Sequence, residues 1–257
     1  MTAQTADWPA DWPAAWTPEQ GLLRSPALSR LGLVAGFTTR ALGSMAGGVY
    51  PLAEQARNRE ALAARYGFDR VVRVKQVHGA TVLQADTVGD PWPEADALWT
   101  GTPRLLLGVA AADCVPVLLA DPDSGIVGAA HAGWQGISRR VVQALVRSMV
   151  AAGARAERLV AAIGPSIGPC CYVIDDARAE VIRERLGADA ADLLQPDANG
   201  RIVFDLWAAN TQQLAQAGVR GIERADLCTR SGGADIWSHR GEAGRNGTGL
   251  GIIGRPR

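Results

Sequence analysis

"LLLGVAAADCVPVLLADPDSGIVGAAHAGW", residues 105 to 134, holds three apolar runs broken near Cys114 and at a Pro- and Gly-containing segment. Its apolar runs are too continuous for a sheet with one wet face, so their strands are expected to be covered on both sides. Asp121-Pro122-Asp123-Ser124-Gly125 supplies a turn, since Asp and Gly tolerate turn geometry and Pro presets it. The run after the turn reaches His131. A cysteine, Cys114, and a histidine, His131, therefore stand at the two ends of one predicted β-hairpin.

Outward from the hairpin, strand and helix patterns mix. "VVRVKQVHGATVLQAD" (71–86) alternates apolar and polar positions and breaks at Gly79, which predicts strand, turn, strand, with His78 at the turn. Before it, "EQARNREALAARYG" predicts a helix from Glu54 to Tyr66 capped by Gly67. After it, Ile137, Val141, Leu145 and Met149 recur every four residues and predict one helix closed by Gly153. Helices are also expected over 174–186 and 206–217, and strands over 159–164 and in "GTGLGII". This is an α/β (α+β) pattern, a single compact layered domain over 21–257. Residues 1–20, with the repeat "DWPADWP", read as a Trp/Pro-rich arm, because proline denies backbone donors.

At 257 residues the chain can bury a substantial core. Lys+Arg 26 against Asp+Glu 26 leaves no global positive field, which argues against nucleic acid and anionic membranes as partners. No apolar run is long enough to span a bilayer, and the first twenty residues lack the parts of a secretory signal. A soluble cytoplasmic protein is expected. A chain of this size needs no disulfides, so its four cysteines read as reduced thiols. No GxxxxGK[ST] is present.

Only three histidines occur, and two of them, His78 and His131, lie among glycines at predicted strand ends. With Cys114 they would give a metal ion three protein ligands and leave a fourth position open, the arrangement of a catalytic zinc. Taken singly, each residue reads equally as packing: a strand cysteine is commonly a small buried hydrophobe. Separations of 36 and 17 residues match no general zinc motif.

"KQVHG" (75–79), "ADCVPVLL" (112–119), "HAGWQG" (131–136), "GPSIGPCCY" (164–172), "CT" (228–229) and "SHR…GR" (238–245) resemble, in order, the motifs of the bacterial laccase-domain family. The family is also called multicopper polyphenol oxidase-like, and its members are described as purine nucleoside phosphorylases with accompanying adenosine deaminase activity. The resemblance implies a layered α/β/α domain with a mixed central sheet, related in shape to the cytotoxic necrotizing factor catalytic domain. It implies zinc on His78, Cys114 and His131, and a pocket for a purine nucleoside (adenosine, inosine, guanosine or methylthioadenosine) beside phosphate. This chain departs from the family where Ala111 and Gln135 replace Thr and Arg, and where His239 stands for a tyrosine. The segment after Arg40 is shortened, which bears on substrate choice.

Three other readings stand beside this one. Copper is possible in place of zinc, with a laccase-like oxidase as the activity, but three histidines cannot build a multicopper cluster. An axial sulfur for a lone copper would have to come from Met1, Met45 or Met149. A metal-free Cys-His hydrolase would use Cys114 as nucleophile. Relatives are also described as editing factors for peptidoglycan precursors.

For phosphorolysis, arginine forks suit phosphate, and Arg40, Arg240 and Arg245 are the candidates, each also readable as a surface ion pair. Zn²⁺ would orient phosphate or activate water. Asp113 reads as an orienter of a histidine ligand or a proton carrier, or as a plain turn carboxylate. Gln76 reads as a substrate contact or a strand-edge amide. Cys170 and Cys171, a vicinal pair able to chelate a soft metal, read more readily as packing, and with Cys228 they stay outside the ligand set; a monomer is the favoured state.

Overall fold

The computed structural model describes residues 16–47, 49–233 and 235–256. In chain order its strands are β1 (Thr17–Glu19), β2 (Leu22–Arg24), β3 (Val34–Thr38), β4 (Arg70–Val72), β5 (Val82–Gln84), β6 (Ala97–Thr100) and β7 (Leu105–Ala111). They continue as β8 (Val115–Ala120), β9 (Val127–Ala132), β10 (Val160–Ile163), β11 (Leu194–Pro196), β12 (Ile202–Phe204), β13 (Gly221–Arg224) and β14 (Gly249–Gly254). The α-helices are α1 (Pro26–Arg30), α2 (Leu52–Arg65), α3 (Trp134–Ser138), α4 (Val141–Ala151), α5 (Asp176–Leu186) and α6 (Leu206–Gln216).

The mixed β layer is double. One six-stranded sheet runs β1-β2-β3-β14-β7-β4 and the other β13-β10-β8-β9-β6-β5. Each mixes antiparallel pairs with a parallel edge, β4 on β7 in the first and β5 on β6 and β13 on β10 in the second. The expected α+β class holds, with a mixed central β layer flanked by helices, and that layer is made of two sheets face to face.

Strand alternation explains the layers. In β7, Leu107, Val109 and Ala111 join Phe37, Leu118, Val127 and Ala129 in the core between the sheets. Leu106 points the other way, to Leu62 and Ala63 of α2. Val115, Val117 and Leu119 of β8 face Ile137, Val141, Leu145 and Met149 on the second sheet's outer side. Period-two side-chain direction thus loads both faces of each central strand with apolar groups. Each such fully buried side chain contributes roughly 1.5–3 kcal/mol. The sheets meet closely at Gly251, where a Cβ would stand 2.4 Å from Pro116 Cβ of β8.

The hairpin is as expected: β8 pairs with β9 around the Asp121–Gly125 turn, with Pro116 opposite His131. The strand, turn and strand at His78 is present, with β4 in the first sheet and β5 in the second. One local expectation is corrected. The helix expected from Ile137 to Gly153 is two, α3 and α4, divided at Arg140, whose φ is 60°. Its four apolar residues still share one buried face. Of the arm assigned to 1–20, residues 1–15 lie outside the described residues, and Thr17–Glu19 form β1 on the edge of the first sheet. Among the described residues, no helix is long and apolar enough to cross a membrane.

Candidate metal centre

His78, Cys114 and His131 bring their ligand atoms within 4.8 Å of one another. Two of the three positions are made by the chain crossing between sheets. His78, at φ 57°, lies on the passage from β4 to β5, and Cys114 ends the passage from β7 to β8, after Asp113 at φ 87°. His131 is on β9, where alternation turns its side chain to the same face as Val127 and Ala129. The imidazole rings of His78 and His131 lie 4.9 Å apart at 74°. Gly133 leaves room for the sulfur, since a Cβ there would stand 2.7 Å from Cys114 Sγ.

Asp96, fully buried, ties the two histidines together. Its Oδ1 lies 2.8 Å from His131 Nδ1 and accepts from the His78 backbone N–H at 3.0 Å. Its Oδ2 accepts from Gly79 N–H at 2.6 Å and Val77 N–H at 3.2 Å. Burial pushes the Asp96 carboxyl up, but the bonds from His131 and from the Gly79 and Val77 backbone outweigh it and hold the group below the usual range. An ionised carboxylate only accepts, so His131 Nδ1 carries the proton and Nε2 is left for a ligand. This orienter was absent from the sequence reading, which gave the role to Asp113.

The site is electrostatically coupled. Burial pushes the Cys114 thiol up, and the charge and hydrogen bonding of His131, then of His78, bring it down to about 6. Burial pushes His131 down, and Cys114 with Asp96 raises it to about 9. Without an ion, the pair is a thiolate beside an imidazolium. Two imidazoles and one thiolate opening on a cavity are a donor set that fits a zinc-like ion with one place free.

The cavity holds about 810 Å³ and is lined by all three residues. Its walls also carry Trp92, Trp134 and Tyr172, and over each aromatic face lies a guanidinium. Arg73 sits 4.9 Å from the Trp92 ring centroid, Arg178 5.1 Å from Trp134 and Arg240 5.4 Å from Tyr172. Arg73 is only 7% exposed, its Nε has no hydrogen-bond partner, and among the described residues no carboxylate forms an ion pair with it. Burial, with the charge of Arg59, lowers it to about 10.

The other predicted residues fall as follows. Arg240 and His239 line the cavity, and Arg240 Nη1 also donates to Val173 O at 3.1 Å. Arg40 does not line it: its guanidinium is paired with Glu242 at 2.7 Å and stacked on Trp237 at 3.9 Å. Arg245 is exposed and does not line the cavity, although its neighbour Asn246 does. Gln76 borders the cavity, but both ends of its amide are bonded to the Ala110 backbone, at 2.8 and 2.7 Å, so it is the strand-edge amide. Asp113 accepts from Thr229 Oγ1, Ser238 Oγ and Arg240 N–H at 2.6, 2.8 and 2.6 Å, which ties loops together and touches neither histidine. Met45 packs in the core under α2, so it gives no axial sulfur to a copper. Arg73 and Arg178 were missed; "VRVKQ" reads as a strand with its cations in water.

A profile of the family described as multi-copper polyphenol oxidoreductase laccase matches residues 51–256. The chain belongs to that family. A relative from Deinococcus radiodurans, named purine nucleoside phosphorylase, is 41% identical over 256 residues, 93% of this chain and 95% of its own. Another from Streptomyces coelicolor, named purine nucleoside phosphorylase SCO2081, is 43% identical over 188 residues, 71% of this chain and 75% of its own. The crystal structure of YlmD from Geobacillus stearothermophilus matches with a TM-score of 0.84 at 32% identity, covering 95% of this chain and all of that one. Similarity at this level places the chain among enzymes.

Proposed function

We propose that this protein is a zinc-dependent purine nucleoside phosphorylase with accompanying adenosine deaminase activity. The observation that carries the reading is the juxtaposition of His78, Cys114 and His131 with Arg73, buried and with its Nε unbonded, in one aromatic-walled cavity. Its relatives' names point to the same reaction class.

His78, Cys114 and His131 would hold the ion, which when bound supplies Lewis-acid polarisation of an oxygen beside it. Asp96 keeps the proton on His131 Nδ1 and fixes the ring's aim. Trp92, Trp134 and Tyr172 offer flat faces to the purine. Arg73, Arg178 and Arg240 supply charge for phosphate, and the low exposure of Arg73 strengthens that attraction by excluding water. Arg40, held by Glu242, is a loop tie in this reading. His239 lines the cavity and is the ring placed to give the departing base a proton.

The test is product chromatography after incubation of metal-quantified protein with adenosine or inosine, with and without phosphate. Free base released only with phosphate supports the reading. Inosine from adenosine as the sole product at all phosphate concentrations would leave deamination alone and overturn phosphorolysis.

A second reading rests on Cys114, whose thiol at about 6 beside His131 makes a ready nucleophile in the metal-free state. It predicts hydrolysis that survives chelation, whereas the first predicts turnover lost with the metal.

A further inference from the structure

A second group of sulfurs lies outside the cavity. Cys170 and Cys171 follow the loop leaving β10, and Cys228 follows β13; those strands are parallel neighbours, so their exits converge. Ser166 N–H donates to Leu227 O at 3.2 Å and Thr229 N–H to Ser166 O at 3.0 Å, which fastens one exit to the other. The three Sγ atoms lie within 4.8 Å of one another, with Cys170 and Cys171 at 3.5 Å. Three thiolates at roughly 2.3 Å from one ion would stand about 4 Å apart, so the side chains are near the required spread. The frame is stiff. Pro165 and Pro169 bracket the loop, Gly168 rests on Trp207 where a Cβ would meet the ring at 2.7 Å, and Gly168 N–H donates to Cys228 Sγ at 3.3 Å.

We propose that Cys170, Cys171 and Cys228 form a second metal site that binds one soft, monovalent d¹⁰ ion of the Cu(I) type through three thiolates. Among the described residues the group contains no imidazole or carboxylate, and an all-sulfur set selects soft ions. Zinc asks for a fourth ligand, and Cys170's other neighbour is the neutral hydroxyl of Ser231, 3.6 Å away. The cavity site, with two imidazoles and a free position, suits the harder ion. Buried Cys228 anchors the site and exposed Cys170 gives the ion a way in. On binding, each thiol gives its proton to solvent and no redox change occurs.

Peptide-level alkylation mapping by mass spectrometry on the wild-type chain tests this, comparing metal-free protein with protein given Cu(I) anaerobically. The expected result is that Cu(I) slows alkylation of Cys170 and Cys171 at least about tenfold, and that Cys170→Ser weakens Cu(I) uptake from a chromophoric chelator by about tenfold or more, the scale of loss when a metal's support is removed. Equal alkylation of Cys170 with and without Cu(I), or unchanged uptake by Cys170→Ser, would overturn the site. The readout sits on Cys170 and is independent of turnover at the cavity.

Discussion

Asp96 Oδ1 lies 2.8 Å from His131 Nδ1, and the same carboxylate gathers the backbone N–H groups of residues 77 to 79. One side chain therefore aims one histidine and places the loop that carries the other. Asp96→Asn keeps the shape but can offer its NH₂ to Nδ1 and favour the wrong tautomer. We expect metal affinity to fall about 10–100-fold, the usual effect of losing such a partner. Competition against a chromophoric zinc chelator measures it; affinity equal to wild type would remove Asp96 from the site.

Protons compete with the metal in a definite direction. In the metal-free protein Cys114 loses its proton at about 6 and His131 at about 9. Between those values the thiolate is already formed and the imidazolium must give up its proton for Nε2 to ligate. Zinc binding at pH 7.5 should release close to one proton, and affinity should climb with pH and level off near 9. Calorimetry in two buffers of different ionisation enthalpy counts the protons, and a count near zero contradicts the assigned pair.

Arg73 and Arg245 should behave oppositely. Loss of a hydrogen-bonding charge costs roughly 1.5–3 kcal/mol, so Arg73→Met is expected to raise the KM for phosphate by about ten- to hundredfold. Because a buried cation with no carboxylate beside it, held only by the Met45 carbonyl at 3.3 Å and the Trp92 face, is unfavourable, the same change should leave the melting temperature equal or higher. Arg245→Gln, at an exposed position outside the cavity, should change neither quantity. Steady-state kinetics with varied phosphate and a thermal melt decide both.

Much of this was legible before any coordinates. The hairpin from Val115 to Ala132 follows from its apolar runs and its Asp-Pro-Asp-Ser-Gly turn, and the scarcity of histidine drew His78, Cys114 and His131 together. The doubling of the sheet was not legible, since a strand coated with apolar groups on both faces does not declare whether helix or sheet covers it. Arg140 breaks a helix with neither Gly nor Pro to signal it. Asp96 escaped notice because its partners are 35 and 17 to 19 residues away, beyond any local pattern. Arg73 sits where strand alternation suggests solvent, yet it is buried, with Trp92 over its guanidinium and the Met45 carbonyl accepting from its Nη1.

Gly133 is a steric test of the sulfur's place. In Gly133→Ala the new methyl would sit 2.7 Å from Cys114 Sγ and 3.4 Å from His78 Cδ2. Overpacking of this kind costs about 1–3 kcal/mol, and here it also pushes a ligand off its mark. Metal content by mass spectrometry of the purified variant should fall well below one ion per chain, while the circular dichroism spectrum stays that of the folded protein.

X-ray absorption at the zinc edge of zinc-loaded Cys170→Ser protein reads the ligands of a single ion held by His78, Cys114 and His131. Two nitrogen scatterers at about 2.0–2.1 Å and one sulfur at about 2.3 Å are expected, with the sulfur lost in a Cys114→Ala background. A zinc shell without sulfur, or one unchanged by Cys114→Ala, would mean that these three residues do not hold the ion.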